Sequence, residues 1–141
     1  MLAYEWTFGT VPAVSALALL FRRPRLAAAL AVGGTLAWLA AKLVKPLGGR
    51  DRPNGVLEDV TLRERIDGDL GWVSGHTAVA TTLAFVAADE VPRPARPVLA
   101  GIVAMVGFGR MYVGAHLPQD IVGGAGLGMM ISAVIPPADA S

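Results

Sequence analysis

The chain has 141 residues, of which 54% are apolar, and its 12 basic and 11 acidic side chains give a formal net charge of +1. This balance argues against a nucleic-acid partner, which would require a basic face. The lack of cysteine excludes disulfides and thiolate chemistry. The apolar runs are too many for a soluble core, so residues 1–141 are predicted to form one domain, an all-helical membrane bundle.

Five apolar runs are predicted to be transmembrane helices, although a full span needs about 20 residues. In chain order they are residues 2–21, 26–44, 74–88, 98–113 and 121–135. The second run is the clearest, and the first is marginal in length. Because the first residues lack a basic leader with a cleavage site, we expect the first run to remain in the mature protein.

The segment 46–72 is polar and rich in glycine, so it is predicted to be a loop outside the bilayer. Within it, the apolar residues between 56 and 70 are typical of a short amphipathic piece on the membrane surface. Basic residues in two short turns set the predicted orientation. They are Arg22, Arg23, Arg25, Arg93 and Arg96. The positive-inside rule makes both turns cytoplasmic, so loop 46–72 and the connection 114–117 lie on the extracytoplasmic face of the cell membrane.

A GxxxG pair, Gly124 and Gly128, lies in the last apolar run. Such pairs let helices approach closely in lipid. We favour simple packing as the role of this pair. The oligomeric state is left open, with a homo-oligomer among the partners considered.

Charged and ionisable residues meet at the predicted outer ends of runs two to five. They are Lys45, Arg52, His76, Arg110, His116 and Asp120. A charge near hydrocarbon costs about 2.5 to 3.5 kcal/mol on insertion scales, so this common depth indicates mutual pairing or an anionic ligand. Snorkelling to the interface would explain the basic residues, but it explains the two histidines and the carboxylate less well.

The segment 110–120 has the pattern of a catalytic edge. Pro118 suits the first turn of a helix, so His116 should precede that helix and Asp120 should lie in its first turn. A carboxylate there can accept the proton of one imidazole nitrogen and leave the other nitrogen free to attack. Arg110 could hold an anion nearby. Taken alone, the segment fits an interfacial histidine and a helix-start charge equally well.

The tetrapeptide 73–76 is predicted to begin the third helix, with Ser74 as N-cap. Gly75 lets a ligand approach the first turn, whose N–H groups and dipole favour a phosphate. His76, if protonated, could donate to a leaving-group oxygen. An ordinary N-cap followed by an interfacial histidine remains the alternative.

The segment 45–53 supplies two further cations. Arg52 offers a planar fork to two phosphate oxygens, and Lys45 offers a compact point charge to the same group. Gly48 and Gly49 do not match a Walker-type loop, so nucleotide binding is not predicted.

The order and spacing of these three segments resemble the signature of the type 2 phosphatidic acid phosphatase superfamily. The matching residues are Lys45, Arg52, Pro53, Ser74, Gly75, His76, Arg110, His116 and Asp120. The resemblance covers about half of the chain. It implies hydrolysis of a phosphate monoester or diphosphate on an all-helical scaffold, with no metal and no other cofactor.

The resemblance also implies a role for each site residue. His116 would be the nucleophile that forms a phosphohistidine, Asp120 would orient it, and His76 would protonate the leaving group. Water would then attack the phosphohistidine. The phosphoryl oxygens would be held by Lys45, Arg52, Ser74, Gly75 and Arg110.

We expect a phosphorylated lipid substrate that enters sideways from the bilayer, with a polyprenyl phosphate or diphosphate as first choice and a phosphatidic acid type as second. A non-catalytic lipid-phosphate binding or transport module is the alternative, and a vanadate-dependent haloperoxidase-like enzyme is a further one. The chain departs from the family pattern in having Val73 where proline is common and Gly109 where serine is common. We expect lower activity or a shifted preference from these departures.

Overall fold

The structure is a computed structural model that describes residues 2–63, 68 and 70–138, and every regular element in this part of the chain is helical. The helices are α1 Leu2–Leu20, α2 Pro24–Gly48, α3 Pro53–Val56, α4 Gly75–Ala88, α5 Arg96–Tyr112 and α6 Pro118–Ala133. A 3-10 turn, Arg93–Ala95, precedes α5. The predicted all-α class is confirmed for the described residues, which contain one isolated antiparallel bridge between Asp51 and Leu70.

The five long helices follow the five predicted apolar runs, but their lengths differ. Among the described residues, α2 alone is long and apolar enough to cross a membrane by length and composition. Its 25 residues extend about 37 Å at 1.5 Å per residue, against a hydrocarbon core of about 30 Å. By contrast, α4 has 14 residues and extends about 21 Å. Five complete spans therefore stay a prediction.

The central helix is α4, which packs against α2, α5 and α6, while α1 packs against α2. Glycines allow the close approach of α6. A Cβ atom on Gly124 would lie 2.4 Å from the carbonyl oxygen of Ser74, and one on Gly128 would lie 2.5 Å from that of Ala78. The GxxxG pair thus packs α6 against α4 within one chain.

The interior is built from small side chains, and many large apolar side chains face outward. Ala37 and Ala78 are fully buried, whereas Leu43, Phe108 and Val122 are largely exposed. Large continuous apolar surfaces are rare on soluble monomers and mark contact with lipid or protein. The packing is therefore that of a bundle with an apolar exterior.

The turn between α1 and α2 lies beside the turn between α4 and α5. Arg23 of the first turn forms an ion pair with Glu90 of the second. Arg96 lies 3.3 Å from Asp89 at the same end. The two basic turns therefore share one end of the bundle, as the topology predicts.

At the opposite end, α2 continues one turn beyond the predicted run and includes Lys45. Gly49 ends the helix with a left-handed φ of 55° and donates its N–H to the Lys45 carbonyl. Residues 57–63 of the following loop are not helical, so the predicted amphipathic piece is not helical over that part. The rest of that prediction falls mainly on residues 64–67 and 69, which lie outside the described residues.

Candidate active site

His116 and Asp120 are brought together by the start of α6. Pro118 is the first residue of this helix, Leu117 is its N-cap, and Asp120 lies in the first turn, as predicted. Asp120 Oδ2 accepts the Leu117 N–H at 2.8 Å and lies 3.5 Å from His116 Nδ1. This arrangement suits a carboxylate that holds the Nδ1 proton and leaves Nε2 to react.

The environment of His116 favours its neutral form. The side chain is almost fully buried, and Asp120 is fully buried. Burial is the main cause that lowers the pKa of His116 from 6.5 to about 2, and the positive charges of Lys45, Arg52 and Arg110, followed by His76, lower it further. A neutral imidazole retains the lone pair that a nucleophile needs.

The cations that act on His116 come from three different elements. Lys45, in the last turn of α2, donates from Nζ to the Leu70 carbonyl at 3.4 Å. Arg52 donates from Nη1 to the carbonyl of Ala115, the residue before His116, at 3.0 Å. Arg110 lies in the last turn of α5. Since all three perturb one imidazole, an anion at His116 would meet their combined positive field.

Ser74 links the start of α4 to the start of α6. Its hydroxyl accepts from the Thr77 N–H at 3.4 Å, which confirms the predicted N-cap. Its own N–H donates to the Asp120 carbonyl at 3.0 Å. Among the described residues outside its own helix, a Cβ on Gly75 would contact Ala41 alone, at 3.6 Å, which leaves room at the helix start. The first turn of α4 is thus held beside Asp120, with space for a ligand.

The residues predicted for the site therefore lie at one end of the bundle. Their chemical roles stay predictions. What the geometry provides is a buried neutral imidazole, a carboxylate on its Nδ1 side and a group of cations around it.

Comparison with protein families matches residues 25–139 to the PAP2 superfamily. The chain belongs to the PAP2 superfamily. It is also 30% identical over 122 residues to an undecaprenyl-diphosphatase of Sulfolobus acidocaldarius, an alignment that covers 84% of this chain and 58% of that relative. The chain thus spans less than two thirds of its relative's length. No solved structure matches it.

The two departures from the PAP2 pattern have different surroundings. Val73 is buried and packs in a small cluster with Ala41 and Ala78. At Gly109, a Cβ would meet no described residue outside its own helix within 4 Å. A serine would therefore fit at position 109, so packing within the chain does not explain the glycine there.

Sequence reasoning missed one residue of this candidate site, Arg50. Its guanidinium forms an ion pair with Asp120 Oδ1. The Asp51–Leu70 bridge and the Gly71 N–H, which donates to the Arg50 carbonyl at 2.8 Å, hold this segment in an extended form. Residues two apart in an extended segment face the same side. The spacing of Arg50 and Arg52 was the available signal.

Proposed function

We propose that this chain is a metal-independent membrane phosphatase that hydrolyses the phosphate monoester or diphosphate of a lipid through a phosphohistidine. The observation that carries the proposal is the pair of His116 and Asp120, with Nδ1 to Oδ2 at 3.5 Å, inside a group of cations. Membership of the PAP2 superfamily supports it.

In the first step, Nε2 of His116 attacks phosphorus, and the bond from phosphorus to the leaving oxygen breaks. Asp120 holds the Nδ1 proton and stabilises the positive charge that develops on the ring. His76 donates a proton to the departing oxygen. The transferring phosphoryl group is bound by Lys45, Arg52 and Arg110, with Ser74 and the Gly75 N–H.

In the second step, water attacks the phosphohistidine. His76, now neutral, accepts a proton from that water, and the bond from Nε2 to phosphorus breaks. Inorganic phosphate leaves, and both histidines return to their starting protonation states. Burial and the nearby cations, which lower the pKa of His116, favour the neutral nucleophile that the next turnover requires.

A polyprenyl phosphate or diphosphate is the preferred substrate, and a phosphatidic acid type is second. The diphosphatase activity named for the Sulfolobus acidocaldarius relative supports this order. An apolar cavity of about 600 Å³ between α1, α2, α4 and α5 could hold part of a lipid tail. Its wall extends from Ala80, one helical turn after His76, past Leu83 to Arg23 and Glu90 at the opposite end of the bundle.

We further propose a multi-pass location in the cell membrane, with the site at the extracytoplasmic face. The apolar exterior of the bundle supports the membrane location. The basic turns at the end opposite His116, joined by Arg23 and Glu90, support a cytoplasmic assignment for that end.

The experiment is phosphate release from a polyprenyl diphosphate and from phosphatidic acid, in detergent with a chelator present. We expect turnover by the wild type, loss of turnover in His116→Ala and His76→Ala, and retention in Arg96→Ala as a matched control at the other end. The ratio of the two rates gives the substrate class. A folded wild-type protein that binds both lipids and releases no phosphate would contradict the proposal and favour a binding module.

A further inference from the structure

Three groups from two parts of the chain lie around the Asp120 carboxylate. Arg50 forms an ion pair with Oδ1. The Leu117 N–H donates to Oδ2 at 2.8 Å, and His116 Nδ1 lies 3.5 Å from the same oxygen. The orientation of the carboxylate toward the imidazole therefore depends on a residue outside the proposed phosphate-binding set.

The two arginines of segment 50–52 contact the chain on both sides of His116. Arg52 donates to the carbonyl of Ala115 at 3.0 Å, one residue before the histidine. Arg50 pairs with Asp120, four residues after it. The segment thus holds both the backbone that carries His116 and the carboxylate that orients its ring.

A buried carboxylate without a cation takes up a proton readily, because burial disfavours its charged form. The Asp120 side chain is fully buried, and the Arg50 side chain is mostly buried. Besides Arg50, the charged and titratable groups around the pair are His116 itself, Lys45, Arg52, Arg110 and His76. Among the described residues, Arg50 is the arginine or lysine whose ion pair with the Asp120 carboxylate the structure shows.

We propose that Arg50 is a positioning residue that keeps the His116–Asp120 pair free of an extra proton and holds Asp120 toward Nδ1. This inference rests on the proposed function of the site. Interacting groups titrate as a pair, so loss of Arg50 adds one shared proton at a higher pH. On Asp120 that proton removes the acceptor for Nδ1–H, and on His116 it occupies the attacking nitrogen. With the proton on either residue, His116 cannot attack phosphorus efficiently.

The first test is the pH dependence of kcat in Arg50→Met. We expect the acid limb of the profile to move upward by about 1 to 3 pH units. Arg50→Lys should show a smaller upward shift than Arg50→Met, since lysine keeps the charge but lacks the planar fork. Arg96→Met, which removes an arginine from the remote pair with Asp89, is the matched control and should leave the profile unchanged.

A double-mutant cycle separates a positioning role of Arg50 from direct phosphate binding. In the Asp120→Asn background, Arg50→Met should change kcat by less than about threefold, because the group through which Arg50 acts is already altered. A full additional loss in that background, or a raised KM with an unshifted acid limb, would overturn the proposal and make Arg50 a phosphate ligand.

A spectroscopic readout keeps the inference testable without turnover. The chain has two histidines, so ¹⁵N-histidine NMR of the His76→Gln protein reports on His116 alone. We expect a neutral ring with the proton on Nδ1, and we expect Arg50→Met to change the tautomer or raise the pH at which the pair gains a proton. An unchanged His116 titration in a folded Arg50→Met protein would overturn the inference even if the wild type hydrolyses lipid phosphate.

Discussion

The two ends of the helical bundle both carry arginines and carboxylates, but they use them differently. At the end with the α1–α2 and α4–α5 turns, Arg96 and Asp89 form a pair whose side chains are 45% and 73% exposed. At the other end, Arg50 pairs with an Asp120 side chain that is fully buried. Exposed ion pairs contribute about 0 to 1 kcal/mol to the free energy of unfolding, whereas removing one partner of a buried pair lowers it by far more. The exposed Arg96–Asp89 pair should therefore tolerate change, whereas the buried Arg50–Asp120 pair should not.

The cations of the two ends also differ in their described partners. Lys45 donates to the backbone carbonyl of Leu70, and Arg52 donates to that of Ala115. Arg23 instead pairs with the carboxylate of Glu90. The proposed mechanism uses the cations around His116 to hold a phosphoryl group.

The largest expected difference comes from removing one arginine at each end. We expect Arg110→Ala to lower kcat/KM by about 10²- to 10³-fold, the usual cost of losing one group that stabilises developing charge. Arg96→Ala should change it by less than about twofold and the free energy of unfolding by about 0 to 1 kcal/mol. Phosphate release and thermal unfolding measure the two quantities, and equal losses of activity at both ends would remove the distinction.

The next prediction concerns the close packing of α6 on α4 at the end of the bundle that carries His116. Gly124→Ala puts a Cβ 2.4 Å from the Ser74 carbonyl oxygen, so α6 must move away from the residue that also binds the Asp120 carbonyl. We expect a loss of about 1 to 3 kcal/mol in the free energy of unfolding, together with a loss of activity.

Gly126→Ala is the matched control on the same helix, because a Cβ there would meet no described residue of another element within 4 Å. It should stabilise the helix by about 0.5 to 1 kcal/mol and leave phosphate release unchanged. If Gly124→Ala behaves like Gly126→Ala, close packing of α6 on α4 does not hold the site together.

The local features of the site could be predicted from the sequence, and the long-range contact could not. Pro118 and the spacing to Asp120 define a helix start within five residues, and Ser74 is a helix cap by residue type. The pairing of Arg50 with Asp120 joins residues 70 positions apart, and it depends on the bridge between Asp51 and Leu70. No local periodicity encodes that bridge.

The boundary of α2 shows a second limit of sequence reasoning. The predicted run stops at residue 44 because Lys45 is charged and the polar segment 46–72 follows it. The helix nevertheless continues to Gly48. This extension puts Lys45 in its last turn, where the helix dipole favours a cation. A hydropathy pattern locates the apolar part of a helix, whereas the polar last turn that reaches the site depends on contacts such as that of Lys45 with Leu70.

Acid should lower the free energy of unfolding through protonation of His116. Its pKa is about 2 in the folded chain against 6.5 for an ordinary histidine, so between these values the unfolded chain binds the proton and the folded chain does not. The free energy of unfolding therefore falls as the pH drops below 6.5, by about 1.4 kcal/mol per pH unit from this group. Thermal unfolding from pH 7 to 5 should show a smaller fall in His116→Gln. The same fall in both proteins would contradict a buried neutral His116.

The smallest expected effect concerns Gly109, where the family resemblance led us to expect a serine. A Cβ at this position would meet no described residue outside its own helix within 4 Å, and serine is a better helix former than glycine, so Gly109→Ser should fold. If the added hydroxyl reaches the phosphate held by the neighbouring Arg110, one hydrogen bond worth about 0.5 to 1.5 kcal/mol raises kcat/KM by about two- to tenfold. Gly101→Ser is the matched control, since it lies on the same helix with equally open space and far from Arg110. A rise confined to Gly109→Ser would mean that the glycine limits phosphate binding, whereas equal values for both variants would mean that position 109 does not face the bound phosphate.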